Sequence, residues 1–415
     1  MTRLATALES ALEAGAAASA LAAEIEAALG GAAGIAGALV LSTSAAGHTG
    51  EQVGRRLAAR WPEAELIGTS FEGLVFDGRV WQGEPAVAVL AWTAGEGAPI
   101  PIVCEAGERD PEVLAKEIFS GSVDSRPGPD DLVLLFPDAL GTPALSALLE
   151  QFSTASGGPW LAGAGAVGVD EGSAHGWSLP ADSGGRCLLV GLRVPAGPGG
   201  RGEKGRVQCV GATRIASPWL EITACRSHWI DGLEGEPPVD WIRRQLGLDD
   251  DAPVEPHLDR LLVRMARREA CGDEGEPEVF EERYLTGIDS RRGSIGVLGS
   301  FSRSDRLALA LPDPAWAREA LRAAVDALPT TAFLLQFGCP GRGESLHGDR
   351  DLESAIVAHQ SIGRRTLGVI APFQLGTDVT GAGRLLVYST VLAALGPIVE
   401  SKKTRAPVPF KRTAV

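Results

Sequence analysis

The sequence predicts an α/β protein, a two-lobed body of repeated strand–helix–strand units with mixed, largely parallel sheets. The prediction rests on one pattern that occurs three times: an apolar, strand-like run, then an amphipathic segment, then a second apolar run that ends at glycine. In the three occurrences, the second apolar run ends at Gly68, Gly163 and Gly368, respectively. A strand, a crossover helix and another strand form a βαβ unit with parallel strands.

Each unit divides into its elements in chain order. The first strands are expected at 38–41, 132–136 and 332–337, and the connecting helices at 51–61, 142–152 and 352–360. Nearly continuous apolar runs at 86–92 and 187–192 are typical of central strands. Leucines four residues apart predict an amphipathic N-terminal helix. Further helices are predicted from Pro238 to a glycine stop at Gly247, and after the capping pair Asp313-Pro314.

The chain is expected to divide where its periodicity is lost. Glycine and proline are frequent at 195–205, which is typical of a linker. The predicted segments are an N-terminal helix (1–34), a first half (35–194), the linker (195–205), a second half (206–400) and a basic disordered tail (401–415).

Composition and charge exclude several classes of protein. The formal net charge of −15 opposes binding to nucleic acid, because an acidic surface repels phosphates. No apolar run is long enough to cross a bilayer, and glutamates interrupt the N-terminal stretch, unlike a signal peptide. The six cysteines are scattered, which indicates reduced thiols and a cytoplasmic location. We therefore expect neither a nucleic-acid nor a membrane partner.

Common cofactor and metal motifs are absent from the sequence. It has no P-loop, no dinucleotide fingerprint between a strand and a helix, and no nucleophile elbow. Its six histidines are widely separated and lack the spacing of a zinc site. We expect neither a cofactor nor a bound metal.

Two segments at strand ends carry candidate ligand-binding residues. The first places small hydroxyl residues, an acid and a glycine after a strand, with the candidates Thr69, Ser70, Phe71, Glu72 and Gly73. The second places a thiol and an arginine in a glycine-rich loop, with the candidates Cys339, Gly341 and Arg342. Glycine lets backbone N–H groups approach a ligand, and arginine offers a fork of donors to a carboxylate.

At these segments the chain resembles the FIST (F-box and intracellular signal transduction) domain family. Its Gly-Thr-Ser-x-x-Gly turn at 68–73 and its Cys-x-Gly-Arg segment at 339–342 are similar to motifs of the N- and C-terminal halves of the family. An acidic helix residue that follows is matched by Glu353, and 222–237 resembles the turn between the halves. The resemblance covers about 35–396, without an F-box. The family's Gly-Glu turn at the pocket edge corresponds to 370–378, with Gln374 nearby and Thr377 in place of the glutamate.

These residues support three functional hypotheses. The leading one is a non-catalytic sensing or signalling module that holds a small anionic or zwitterionic metabolite at the strand ends. The resemblance implies that an amino acid is the ligand. The second is an enzyme with Cys339 as a thiol nucleophile, for which the sequence shows no base. The third is an interaction scaffold that docks a protein partner through its basic tail.

Overall fold

The computed structural model describes residues 2–10, 13–105, 127–139, 145, 148, 149, 152, 158–168, 176–179, 186–196, 205–249, 252–268, 277, 280–299, 301–378 and 380–396. Within these residues, the helices are α1 (Ala14–Leu29), α2 (Thr49–Arg60), α3 (Pro238–Leu246), α4 (Pro314–Ala327), α5 (Glu344–His347) and α6 (Leu352–Gln360). The first eleven strands are β1 (Leu4–Glu9), β2 (Ile35–Thr43), β3 (Glu65–Phe71), β4 (Gly73–Phe76), β5 (Arg79–Gln82), β6 (Val87–Thr93), β7 (Ile100–Glu105), β8 (Leu132–Pro137), β9 (Trp160–Ala164), β10 (Gly176–Leu179) and β11 (Arg186–Val194).

The remaining strands belong to the second half of the chain. They are β12 (Val207–Gly211), β13 (Thr213–Ile215), β14 (Leu220–Arg226), β15 (Trp229–Leu233), β16 (Leu262–Ala266), β17 (Glu281–Asp289), β18 (Ser294–Val297), β19 (Arg306–Pro312), β20 (Phe333–Gly338), β21 (Arg365–Ile370), β22 (Gln374–Thr377), β23 (Gly383–Leu386) and β24 (Ser389–Leu395). Helices and mixed sheets together place the protein in the α/β class, as the sequence predicts.

The three predicted βαβ units are confirmed as parallel strand pairs. Strand β2 pairs with β3, β8 with β9, and β20 with β21, all in parallel register. Helix α2 connects the first pair and α6 the third. Between β8 and β9, Leu145, Leu148, Leu149 and Phe152 are helical, and the other residues of the helix predicted at 142–152 lie outside the described residues.

The units share one strand order and exchange strands. The orders are β1-β6-β2-β3 in unit one, β7-β11-β8-β9 in unit two and β12-β24-β20-β21 in unit three. Unit one contributes β4, which pairs with β21, together with its hairpin partner β5. Unit two contributes β10 to β3, and unit three contributes β22 to β9. Each unit therefore extends the sheet of another, and the three exchanges close into a cycle.

The apolar core lies between the three units. One buried cluster contains residues from all of them, with the rings of Phe71 and Phe136 5.5 Å apart and those of Phe136 and Phe337 6.1 Å apart. The repeated glycines pack against the neighbouring strand. A Cβ at Gly163 would lie 2.0 Å from the carbonyl oxygen of Leu135, and one at Gly368 1.9 Å from that of Gln336. Only glycine allows the two strands to approach so closely.

Unit three contains an inserted antiparallel barrel. Between β12 and α4, the strands β19-β14-β15-β18-β17-β16 form a ring that closes through the pairing of β16 with β19. Apolar residues such as Ile230, Val263 and Leu307 fill this ring, and Trp241 of α3 packs against them. The sequence prediction recognised α3 and its left-handed stop at Gly247 but contained no barrel.

The structure corrects two sequence expectations. Residues 4–9 form a strand, not the start of an N-terminal helix, because they pair with the buried strand at 87–92; the helix begins at Ala14. The sheets are mixed but not largely parallel. Among the described strand pairs, only the three βαβ pairs are parallel, because the hairpins and the returning strands β6, β11 and β24 all pair antiparallel.

The proposed boundary at 195–205 stays a prediction, and strand pairing crosses it. The hairpin β4–β5 of the first half joins the sheet of the second half, and β22–β23 joins the sheet of the first half. Residues 197–204 of the predicted linker and the tail at 401–415 lie outside the described residues. In the described part of the chain, no helix is both long and apolar enough to span a membrane.

Candidate functional site

A narrow cleft that is partly open to solvent lies at the carboxyl end of β20 in unit three. Its floor and one wall come from Gln336 and the loop that follows the strand, and α6 contributes Ser354. Unit one also lines the cleft, through Val80 and Gln82 of strand β5. The cleft is therefore a composite of two units, and it lies at the strand ends where the sequence predicts a ligand site.

The corresponding region of unit one is filled by a tryptophan. Trp177 of β10 pairs with Gly68, and a Cβ at Gly54 or Gly68 would lie 2.2 Å from its indole ring. The equivalent position over Gly368 in unit three holds Val75 of β4. Val75 packs with the cleft residues Val80 and Ile370. Unit three thus has a small side chain where unit one has a large one, and the cleft of unit three lies beside α6.

Arg342 forms the buried wall of the cleft. Its guanidinium donates to the carboxylate of Glu353, with Nε 3.1 Å from each oxygen and Nη2 2.7 Å from Oε1. Its Nη1 donates to the carbonyl oxygens of Val210 (2.7 Å) and Tyr388 (3.3 Å). The arginine side chain is only 2% exposed. These hydrogen bonds occupy the guanidinium within the protein, so Arg342 supports the cleft and is not a free anchor for a ligand.

Glu353 is the centre of this polar network. It also accepts a hydrogen bond from Thr390 Oγ1 at 2.8 Å, and His347 Nε2 lies 3.0 Å from its Oε1. Burial alone would raise the pKa of Glu353, but the charge of Arg342 and the hydrogen bonds from His347, Arg342 and Thr390 lower it to about 2. The carboxylate therefore stays ionised inside the fold.

Cys339 lines the cleft but is not activated. Burial raises the pKa of its thiol, and the effect outweighs the hydrogen bonds from the backbone of Gly341 and from Tyr284. The sulfur lies 3.9 Å from the hydroxyl of Tyr284, whose own pKa is raised by burial. Gly341 lies in a tight 3-10 turn, where a Cβ would come within 2.9 Å of the Tyr388 ring. A neutral, buried thiol is a poor nucleophile.

The candidate ligand-binding residues at 69–73 lie where the units contact each other and not in the cleft. Ser70 Oγ donates to the carbonyl oxygen of Val167 in unit two at 2.6 Å. Thr69 is buried with its Oγ1 unpaired, and Phe71 belongs to the central core. Burial raises the pKa of the half-buried Glu72. Gly73 pairs with Ile370, a lining residue of the cleft, but none of these five residues is part of the described lining.

Gln374 and Thr377 also have structural partners. The side-chain amide of Gln374 donates to the carbonyl oxygens of Gly338 (3.1 Å) and Ala371 (2.9 Å). Thr377 Oγ1 accepts a hydrogen bond from the backbone N–H of Leu161 at 2.7 Å, which ties β22 to β9. Gln374 thus supports Gly338 at the edge of the cleft, whereas Thr377 holds units two and three together.

Sequence reasoning missed four polar residues of the cleft, Gln82, Gln336, Arg350 and Ser354, and the apolar residues Val80 and Ile370. Gln336 gave a signal, because it is the one polar residue within the apolar run 332–337. Gln82 gave none, since it reaches the cleft only through the exchange of a hairpin between distant units.

Within the described residues, no group of three or more His, Cys, Asp or Glu side chains could hold a metal ion. Comparison with protein-family models gives no match, and comparison with curated proteins gives none either. The resemblance to FIST proteins stays a prediction from the motifs alone.

Proposed function

We propose that the protein is a non-catalytic, cytoplasmic sensing module that binds a small anionic or zwitterionic metabolite in the unit-three cleft. The observation that carries the proposal is the position of Arg350 in a composite cleft at the strand ends. Unlike Arg342, the lining residue Arg350 has no buried ion-pair partner among the described residues, and its side chain is 42% exposed. The resemblance to the FIST family adds the suggestion of an amino acid.

Arg350 can exchange its present partners for a ligand. Its Nη2 lies 3.0 Å from Glu84 Oε1, and its Nη1 lies 3.4 Å from the carbonyl oxygen of Gln82. Both partners belong to unit one, and Glu84 is 54% exposed. Such exposed ion pairs contribute little free energy, so a carboxylate in the cleft can displace Glu84 at small cost. Arginine also binds carboxylates through two parallel hydrogen bonds.

The state of Cys339 supports a binding function rather than a thiol enzyme. Its pKa is raised, and its environment offers the hydroxyl of Tyr284, which holds its own proton more tightly than usual. The scaffold hypothesis depends on the tail, which lies outside the described residues, and it receives no further support here.

Thermal denaturation in the presence of small carboxylates and amino acids tests the proposal. A ligand at about 100 times its dissociation constant should stabilise the fold by about 2.7 kcal/mol. The variant Arg350→Ala should lose this stabilisation while keeping the fold. Arg365→Ala is the matched control, because Arg365 is a similarly exposed arginine that pairs with Asp77 outside the cleft. Stabilisation that survives in Arg350→Ala, or no stabilisation by any compound, would contradict the proposal.

A further inference from the structure

Gln336 is a buried side chain that lines the cleft and has an unpaired acceptor. The residue is 2% exposed, and its Oε1 is buried with no hydrogen-bond partner. A buried polar atom without a partner destabilises a fold, so native structures retain few of them. This one lies in the floor of the cleft that we propose as a binding site.

Gln336 lies on the face of β20 that is directed away from the central core. In β20, Phe333, Leu335 and Phe337 point into the central core, whereas Leu334 packs on the opposite face with the apolar cluster beneath α6. Gln336 alternates with the core residues and shares the face of Leu334.

The other two units carry apolar residues at the equivalent position. Gln336 pairs with the repeated glycine Gly368, and the residues that pair with Gly68 and Gly163 are Val40 and Leu135. The fold therefore accommodates an aliphatic side chain at this position. The packing that the three units share does not require the amide of Gln336.

We infer that Gln336 determines the specificity of the cleft, because its amide oxygen accepts a hydrogen bond from an N–H or O–H group of the bound molecule. The inference rests on the proposed binding function. The terminal torsion of glutamine has a broad energy profile, so the amide can turn its oxygen toward a ligand. With Arg350 at the rim, the ligand class is a small carboxylate that carries a hydroxyl, amide or ammonium donor. A site with a buried acceptor rejects molecules that lack the donor, since the acceptor would stay unpaired.

Two variants test whether the amide has a structural or a recognition role. Gln336→Leu introduces the residue found in unit two, and Gln336→Met keeps the unbranched shape without the acceptor. We expect at least one of them to unfold at a higher urea concentration than the unliganded wild-type protein. If both unfold at lower urea concentrations, or fail to fold, the amide is a structural requirement and the inference is overturned.

Calorimetry with paired acids tests recognition directly. The pairs are glycolate with propionate, 3-hydroxypropionate with butyrate, and 4-hydroxybutyrate with valerate, which differ by a hydroxyl in place of a methyl group. At the length that fits, the wild-type protein should bind the hydroxy acid at least about tenfold more tightly. In the stabilised Gln336 variant, the affinity for the hydroxy acid divided by that for its methyl counterpart should fall to about one or below.

The two tests separate this inference from the proposed function. An unchanged ratio in the Gln336 variant overturns the role of Gln336 but leaves binding at the cleft intact. Loss of binding of both acids in Arg350→Ala supports the cleft itself. If no acid binds the wild-type protein, the proposed function fails for these ligands, and the urea comparison still decides whether the Gln336 amide is structural.

Discussion

Arg342 and Glu353 form a buried ion pair that joins four segments of unit three. Arg342 follows β20, and Glu353 lies in the first turn of α6. The arginine also bonds to Val210 in β12 and to Tyr388 before β24. Both side chains are buried, and the hydrogen bonds satisfy them in a setting where an unpaired charge would be costly. The pair therefore fixes the wall of the cleft.

Replacement of Arg342 should destabilise the fold strongly. Arg342→Ala leaves the Glu353 carboxylate buried without its cation, which typically costs about 3–5 kcal/mol. The free energy of unfolding from urea titrations measures the effect. Arg55→Ala is the control, because Arg55 forms an exposed pair with Glu51 on α2 and should change stability by only about 0.5 kcal/mol. Similar small effects of the two substitutions would show that Arg342 does not anchor unit three.

The ionisation of Glu353 should make stability depend on pH. Its pKa falls from about 4.5 to about 2 in the folded state, so the unfolded chain binds more protons between these values. The stabilisation is fully present above about pH 5 and is lost as the pH falls toward 2, by about 3 kcal/mol. Urea titrations at several pH values should show a smaller acid-induced loss in Glu353→Gln. Parallel pH profiles of the two proteins would contradict this assignment.

Much of the fold could be predicted because its signals are local. The three βαβ units were recognisable from apolar runs, helical periodicity and a terminal glycine, all within about 40 residues of chain. The bounds of α6 and the side-chain cap of Asp313 on α4 agree with the predictions. The strand at 4–9 was missed because leucines four residues apart fit a helix, and only pairing with residues 87–92 makes the segment extended.

The candidate site could be predicted only in part. Cys339 and Arg342 lie in the cleft lining, as their glycine-rich loop suggested. The sequence could not show that Arg342 forms an ion pair with Glu353. It also could not show that Val80 and Gln82, on a hairpin more than 250 residues away in the chain, line the cleft. Such contacts depend on the strand exchange between units, which leaves no periodic signal in the sequence.

The repeated glycines should be intolerant of any side chain. In Gly368→Ala the added Cβ would lie 1.9 Å from the backbone oxygen of Gln336, so the parallel strands β20 and β21 would have to separate. We expect a loss of about 3 kcal/mol or more, at the upper end of overpacking effects. Gly34→Ala is the control, because its Cβ would meet only Thr93 Cγ2 at 3.9 Å and should change stability by no more than about 0.5 kcal/mol. Equal melting temperatures for Gly368→Ala and the wild-type protein would contradict the close approach of the strands.

Cys339 should react slowly with thiol reagents in the native protein. Burial raises its pKa, so little thiolate is present at neutral pH, and the buried sulfur is poorly accessible to iodoacetamide. Cys225, which is partly exposed on β14, provides the internal comparison. Timed alkylation followed by peptide mass spectrometry should show that Cys225 is modified well before Cys339, and that the difference disappears in denaturant. If Cys339 is instead the faster of the two in the native protein, its thiol is activated, and the thiol-enzyme hypothesis would replace the non-catalytic one.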